Sequence, residues 1–343
     1  MVPAQPIAVP AERLPGLDLL RALMMLLGIV VHTGIPYASG GTSPGYWVAP
    51  QQSIGVTVLL LVIHHWRMPV FFFLAGLFGR RLLLRYGAAD FLRHRARRIL
   101  LPWLVSLAVI TPVMPWVAEW NRSAERHAAP LHLWFLEYLL LFSMLMAALW
   151  RWDALRRLDQ LGGWLWRRAG GLWLLVPTAL TLPLFPYAVV PYPAEFLPWW
   201  QVVVTHGWFY AAGAMFDAVR PALPWRRLIL LALIATGLNL WLTEQAVRGI
   251  DIPGWWLGCS ASLEIWSTLG ALTGWAMEYS RRPPAALRSL ADASYWIYLV
   301  HFPLALVLPR LLSAVLPGIA LPLAAAAGLT LAISWGTRSR RLV

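Results

Sequence analysis

The stretch LDLLRALMMLLGIVVH, residues 17–32, has the apolar length and continuity of a membrane helix. It nevertheless places Asp18, Arg21 and His32 among its leucines. Asp18 and Arg21 are three residues apart. Eleven residues further, at 100° per residue, His32 returns to within about 20° of the Arg21 face and lies about 16 Å along the axis. The three therefore form one stripe. A charged group at the bilayer centre costs roughly 2.5–3.5 kcal/mol on insertion scales, so such groups normally face a bundle interior or a wet cavity. Asp18 and Arg21 alone would pass as an interfacial ion pair fixing a helix end. His32 on the same stripe, deeper in the membrane, points instead to chemistry, because an imidazole can exchange a proton near neutral pH.

The rest of the chain has the same character. Of its 343 residues 59% are hydrophobic and only 13% charged, more apolar surface than a soluble domain of this size could bury. Apolar runs of about 20 residues recur throughout, the length that crosses a hydrocarbon layer of about 30 Å. They are continuous rather than alternating, which excludes a β-barrel reading. The expected fold is all-α: a polytopic integral membrane protein of about ten transmembrane helices, near 17–36, 54–79, 99–118, 131–150, 171–190, 199–219, 227–243, 255–278, 293–312 and 315–335. Residues 1–343 are expected to form a single transmembrane domain, with a short cytoplasmic segment at 1–16 and a basic tail at 336–343. The Pro-rich opening lacks the basic start and apolar core of a cleavable signal. Cys259, the single cysteine, has no intramolecular disulfide partner.

The net charge of +13 comes entirely from arginines that cluster between spans, so it reads as topology rather than nucleic-acid binding. GRRLLLRYGAADFLRHRARR, residues 79–98, holds seven of them. RWDALRRLDQLGGWLWRR, VRPALPWRR, RRPPAALR and the tail TRSRRLV fall in alternate connections, and Arg122, Arg126 and Arg248 are the exceptions. Both termini are therefore expected in the cytoplasm, which agrees with an even number of spans. The 22 tryptophans gather near span ends, where interfacial anchoring accounts for them.

Further ionisable residues sit inside the runs. His64 and Arg67 are one turn apart in HHWRMPVFFFLAG. Arginine cannot shed its charge, so Arg67 requires an anionic partner. Glu264, on a polar stripe with Ser260 and Ser267, is a structural candidate, and an anionic ligand is the other. Ser294, Tyr298 and His301 share one face of SYWIYLVHFPL. His132 and Glu137 open the fourth span, and His206 and Asp217 are weaker candidates. The arginine-rich segment has two readings: lipid headgroups and topology, or the phosphates of a nucleotide-like donor.

LDLLRALMMLLGIVVH, with an arginine ten intervening residues before a histidine, resembles the opening signature of the acyltransferase 3 family. RMPVFFFLAG with RHRARRILLPWL, then HLWFL, then SYWIYLVHFPL resemble its later blocks in order. The phrasing is most similar to the glucans biosynthesis protein C branch. The resemblance implies an inner-membrane enzyme moving an acyl group from cytoplasmic acyl-CoA to a glycan hydroxyl. It implies His32 as the catalytic histidine, with Arg21 in its motif. Arg67, Arg95 and Arg98 would serve donor binding, and His301 would close the site. The glutamate spacing in WFLE, Glu137, is shorter than the family pattern.

The expected mechanism is general-base O-acylation. His32 deprotonates a sugar hydroxyl, Arg67 or His301 stabilises the oxyanion, and Asp18 orients Arg21. His64, Glu137, Glu264, Ser294 and Tyr298 complete the expected substrate-binding set. Acylation of the histidine itself is a variant. No metal or bound cofactor is expected: acyl-CoA, carrying succinyl by the branch resemblance or acetyl as its rival, is a co-substrate. The expected partners are membrane lipids, acyl-CoA and a periplasmic or surface glycan such as an osmoregulated periplasmic glucan. A transporter or flippase of glycan or lipid-linked substrates is the competing reading.

Overall fold

A computed structural model describes residues 14–40, 46–122, 130–193, 195–279 and 284–337. The expected N-terminal segment before residue 14, Arg126 and the arginines of the tail lie outside the described residues. Among the described residues the chain is helical, with no strands and one isolated bridge between Ala38 and Ser53. The helices are α1 (Pro15–Gly34), α2 (Ile54–Arg95), α3 (Leu101–Trp120), α4 (Trp134–Arg151), α5 (Ala154–Ala169), α6 (Leu175–Thr181), α7 (Trp200–Val219), α8 (Trp225–Val247), α9 (Gly254–Tyr279), α10 (Ala285–Ser313) and α11 (Ala320–Gly336).

Among the described residues five segments are long and apolar enough to cross a membrane: Pro15–Tyr37, Ile54–Trp120, Leu131–Arg151, Trp225–Val247 and Leu287–Ser313. The second of these carries both α2 and α3. Proline at the first helical position starts α1, where its missing N–H costs nothing. α2 runs past the expected end of its span and is interrupted at Gly87, whose φ of 73° admits no continuous helix.

Two expectations need correction. Residues 171–190 do not form one span. The apolar helical run covers Leu172–Leu184, and the chain then turns irregular at Phe185 and Tyr187. Prolines at 183, 186 and 191 remove the amide donors a longer helix needs. Second, the arginine-rich connection after α4 is not a loop but the amphipathic helix α5. Its leucines 155, 158, 161 and 165 line an apolar crevice with Met146, Val203 and Met215 of α4 and α7.

The bundle is built on close pairs: α2 with α7 and α4, α1 with α10, and α8 with α9. At the α2–α7 crossing the backbones nearly touch. A Cβ on Gly76 would lie 1.9 Å from the Tyr210 carbonyl oxygen, and one on Gly213 would lie 1.8 Å from that of Phe73. Small residues at such crossings let van der Waals packing hold membrane helices together, since lipid supplies no hydrophobic drive between them. Around this crossing Phe71, Phe72, Phe135 and Phe142 form an aromatic core. His206 stacks on Phe72 at 4.6 Å and belongs to that core.

Part of the arginine-rich segment serves the fold. Arg80 pairs with Asp159 of α5 at 2.7 Å, and Arg81 pairs with Asp217 of α7 at 2.7 Å. Burial raises the Asp159 carboxyl above its ordinary range, and the Arg80 guanidinium pulls it back. These pairs fix α2 to α5 and α7, which accounts for Asp217.

Candidate active site

The end of α1 opposite Asp18 brings His32 among groups from four other parts of the chain. Its ring centroid lies 5.5 Å from that of His301 on α10 and 6.5 Å from that of His132 in the turn before α4. Phe302 meets it edge-on at 5.0 Å. Its Nδ1 is 2.6 Å from the hydroxyl of Tyr46, which lies between α1 and α2. Arg67 reaches in from α2. A Cβ on Gly28, one turn before His32, would lie 2.5 Å from Arg67 Nη1 and 3.9 Å from His301 Nε2. The guanidinium thus occupies the space left by the missing side chain. Arg21, Met25, Gly28 and His32 fall within an arc of about 60° on α1, so Arg67 crosses the stripe that the sequence outlined.

Proline shapes the α10 side. Pro303 has no N–H to offer the Leu299 carbonyl, which loosens the helix beside His301. The Tyr298 carbonyl receives two imidazoles, His301 Nδ1 at 2.7 Å and His132 Nε2 at 3.2 Å. A carbonyl only accepts, so both nitrogens carry hydrogens. In the neutral rings, His301 Nε2 and His132 Nδ1 then hold lone pairs, and both are buried without a partner. In return, the Tyr298 hydroxyl donates to the His132 carbonyl.

His32, Tyr46, His64, Arg67 and Tyr298 are enclosed by surrounding protein. Each nevertheless keeps accessible surface of its own. None of the five is therefore sealed in a dry core. His64 donates from Nε2 to the Val190 carbonyl at 2.8 Å, which ties the irregular segment after α6 to α2. Arg67 Nε is buried without a hydrogen-bond partner, and among the described residues no carboxylate lies within 4 Å of its guanidinium. A charge-assisted site for an anion or a polarised carbonyl is what such an unpaired cation offers.

The structure therefore unites His32, Arg67, His301, Tyr298 and His64 of the expected site. It separates the others. Glu264 does not pair with Arg67: it accepts from Asn239 at 2.7 Å and lies 3.2 Å from His65 Nδ1. Ser260 donates to Asn239 at 3.0 Å, closing a fully buried polar network between α2, α8 and α9. Ser294 donates to the Ala291 carbonyl of its own helix. Glu137 makes no ion pair among the described residues and has one buried carboxylate oxygen without a partner, with nothing linking it to the histidines. Asp18 and Arg21 pair at 3.4 Å at the far end of α1, where Arg21 also lies over the Phe78 ring. Arg95 sits within electrostatic range of Arg21 and Tyr210, its Nε buried without a partner, whereas Arg98 is exposed near Tyr295.

Sequence reasoning missed Gly28 and Tyr46 and underweighted His132. Gly28 carried a signal, since it lies on the Arg21–His32 stripe. Tyr46 carried none, because it lies outside any periodic segment.

A model of an acyltransferase domain matches residues 14–338, nearly the whole chain. The chain belongs to the acyltransferase 3 family. Among curated relatives of this family member, glucans biosynthesis protein C of Salmonella typhi is 28% identical over 167 residues, 42% of this chain and 41% of the relative. The protein of the same name from Shigella dysenteriae is 35% identical over 108 residues, 30% of this chain and 26% of the relative. The matched stretch thus spans less than half of these relatives' length. No solved structure matches.

Proposed function

We propose that the chain is a membrane-embedded O-acyltransferase that moves a succinyl or acetyl group from cytoplasmic acyl-CoA to a hydroxyl of a periplasmic or surface glycan. The observation that carries this reading is the Arg67 guanidinium, enclosed, without a carboxylate partner among the described residues, and set beside imidazoles with open ring nitrogens. A buried cation without a protein counter-charge is costly to keep unless the reaction supplies negative charge. An acyl transfer does so when the thioester carbonyl becomes an oxyanion. The name shared by the curated relatives supports a glycan as acceptor.

In this mechanism His32 takes the proton of the acceptor hydroxyl and the freed oxygen attacks the thioester carbon. Arg67 holds the developing oxyanion. The C–S bond then breaks, and the proton passes to the departing sulfur. Arg95, Arg98 and Arg21 hold the phosphates of the donor at the opposite end of α1. In this reading the donor lies in the cytoplasm with both termini, the acceptor on the far side, and the protein in a bacterial inner membrane. Residues 14–337 act as one catalytic unit.

The test is transfer of label. Purified protein in nanodiscs, given acyl-CoA labelled in the acyl group and a glucan acceptor, places covalent label on the glucan, and the His32→Ala protein does not. Succinyl and acetyl donors run in parallel identify the group. Absence of labelled glucan with the wild-type protein and both donors, or full transfer by His32→Ala, overturns the reading. Movement of glucan across a proteoliposome without covalent label establishes the transporter instead.

A further inference from the structure

The rings of His132 and His301 have their hydrogens assigned by a carbonyl, which can only accept. His32 is different, because the group on its Nδ1 is a hydroxyl, able to accept or donate. Which of the two occurs decides whether His32 can act as a base. With Tyr46 donating, the remaining ring nitrogen, Nε2, carries the hydrogen and has no lone pair with which to take a proton. With Tyr46 accepting, Nε2 presents a lone pair that can take a proton.

We propose that Tyr46 is a positioning residue: its hydroxyl accepts the Nδ1 hydrogen of His32 and so holds the ring in the tautomer that can take the acceptor's proton. This rests on the acyl-transfer reading above. Three observations carry it. The contact is short, 2.6 Å, and enclosed by protein. Arg67, which stands beside both residues, has hydrogens to give and no lone pair to offer, so an acceptor nitrogen facing it and an incoming hydroxyl is the favourable arrangement.

The third observation is how firmly the tyrosine is held, although it lies outside any helix. Ala49 N–H donates to the Pro36 carbonyl and Ser53 N–H to the Tyr37 carbonyl, each at 2.9 Å, while Ser39 N–H donates to Thr57 Oγ1 at 2.8 Å. These bonds stitch the segment after Tyr46 to the end of α1. The ring itself meets Phe302 edge-on at 6.3 Å. A base oriented by a third group is the arrangement that nucleophile–base pairs use on many unrelated folds.

The test uses Tyr46→Phe, which keeps the ring and its contact with Phe302. In the full-length protein with ¹⁵N-labelled histidine, the His32 resonances are assigned by difference from His32→Ala. The expected wild-type signature is hydrogen on Nδ1 and a bare Nε2, shifting toward a mixture of tautomers in Tyr46→Phe. In the label-transfer assay kcat falls roughly tenfold, the effect of one lost hydrogen bond, with KM for both substrates unchanged. Hydrogen on Nε2 in the wild type, an unchanged kcat in Tyr46→Phe, or a defect confined to KM overturns the proposal. Failure of the acyl-transfer reading is a separate result: the wild type then transfers no label, whereas the nitrogen signature still decides the hydrogen bond.

Discussion

Arg67 occupies the space that a side chain on Gly28 would fill: a Cβ there would stand 2.5 Å from Nη1. The glycine on α1 and the arginine on α2 therefore form one feature, a notch and the cation seated in it. The atom displaced would be the end of a flexible side chain, so enlarging residue 28 should move the guanidinium without unfolding the bundle. Gly28→Ala is expected to lower kcat at least tenfold, about what one displaced transition-state hydrogen bond costs. Its thermal midpoint should stay close to wild type. Label transfer and a melting curve on the same preparation check both halves.

Removing the charge should separate stability from function. Arg67 has no ion-pair partner among the described residues, and a mid-membrane arginine costs roughly 2.5–3.5 kcal/mol on insertion scales. Arg67→Met is expected to melt no lower than wild type while transfer drops roughly a hundredfold or more, the usual loss when an oxyanion donor goes. A large fall in melting temperature would show that the cation is structural.

Glu264 should behave in the opposite way. Its carboxylate joins Asn239 and His65 in a fully buried network, so Glu264→Leu strands their hydrogen-bonding groups. The expected cost is about 1–3 kcal/mol for each group left unsatisfied. Glu264→Gln keeps the acceptor for Asn239 and should lose less. Transfer normalised to folded protein stays within about twofold of wild type in both, and fluorescence-detected size exclusion after heating measures the stability.

At the Asp18 end of α1, Arg95 is enclosed with an unpartnered Nε near Arg21. Arg95→Gln is expected to raise KM for acyl-CoA roughly tenfold, with kcat and the acceptor KM little changed, as loss of a charge-assisted phosphate contact would do. Initial rates over a matrix of both substrates make the distinction.

The α2–α7 crossing tolerates no added atom. Gly213→Ala puts a methyl against the Phe73 carbonyl, where backbone rather than a mobile side chain would have to give. The expected result is loss of monodisperse protein from detergent extracts, in contrast to Gly28→Ala.

The sequence by itself determined the class of molecule and singled out the ionisable residues inside its apolar runs. Apolar length, arginine placement and 3.6-residue periodicity are local properties, and they are carried wherever the chain goes. They marked His32, Arg67 and His301 before any helix was positioned. They could not say which residues meet. Tertiary structure seated Arg67 against Gly28 rather than Glu264, gave Glu264 to His65 and Asn239, and broke 171–190 at its prolines. It also carried Tyr46 and His132 to His32. The reason is physical: a hydrogen bond between helices depends on rotation, depth and crossing of two elements at once. Those are set by packing such as the approach of Gly76 to Tyr210 and of Gly213 to Phe73 between α2 and α7, not by the residues that the bond joins.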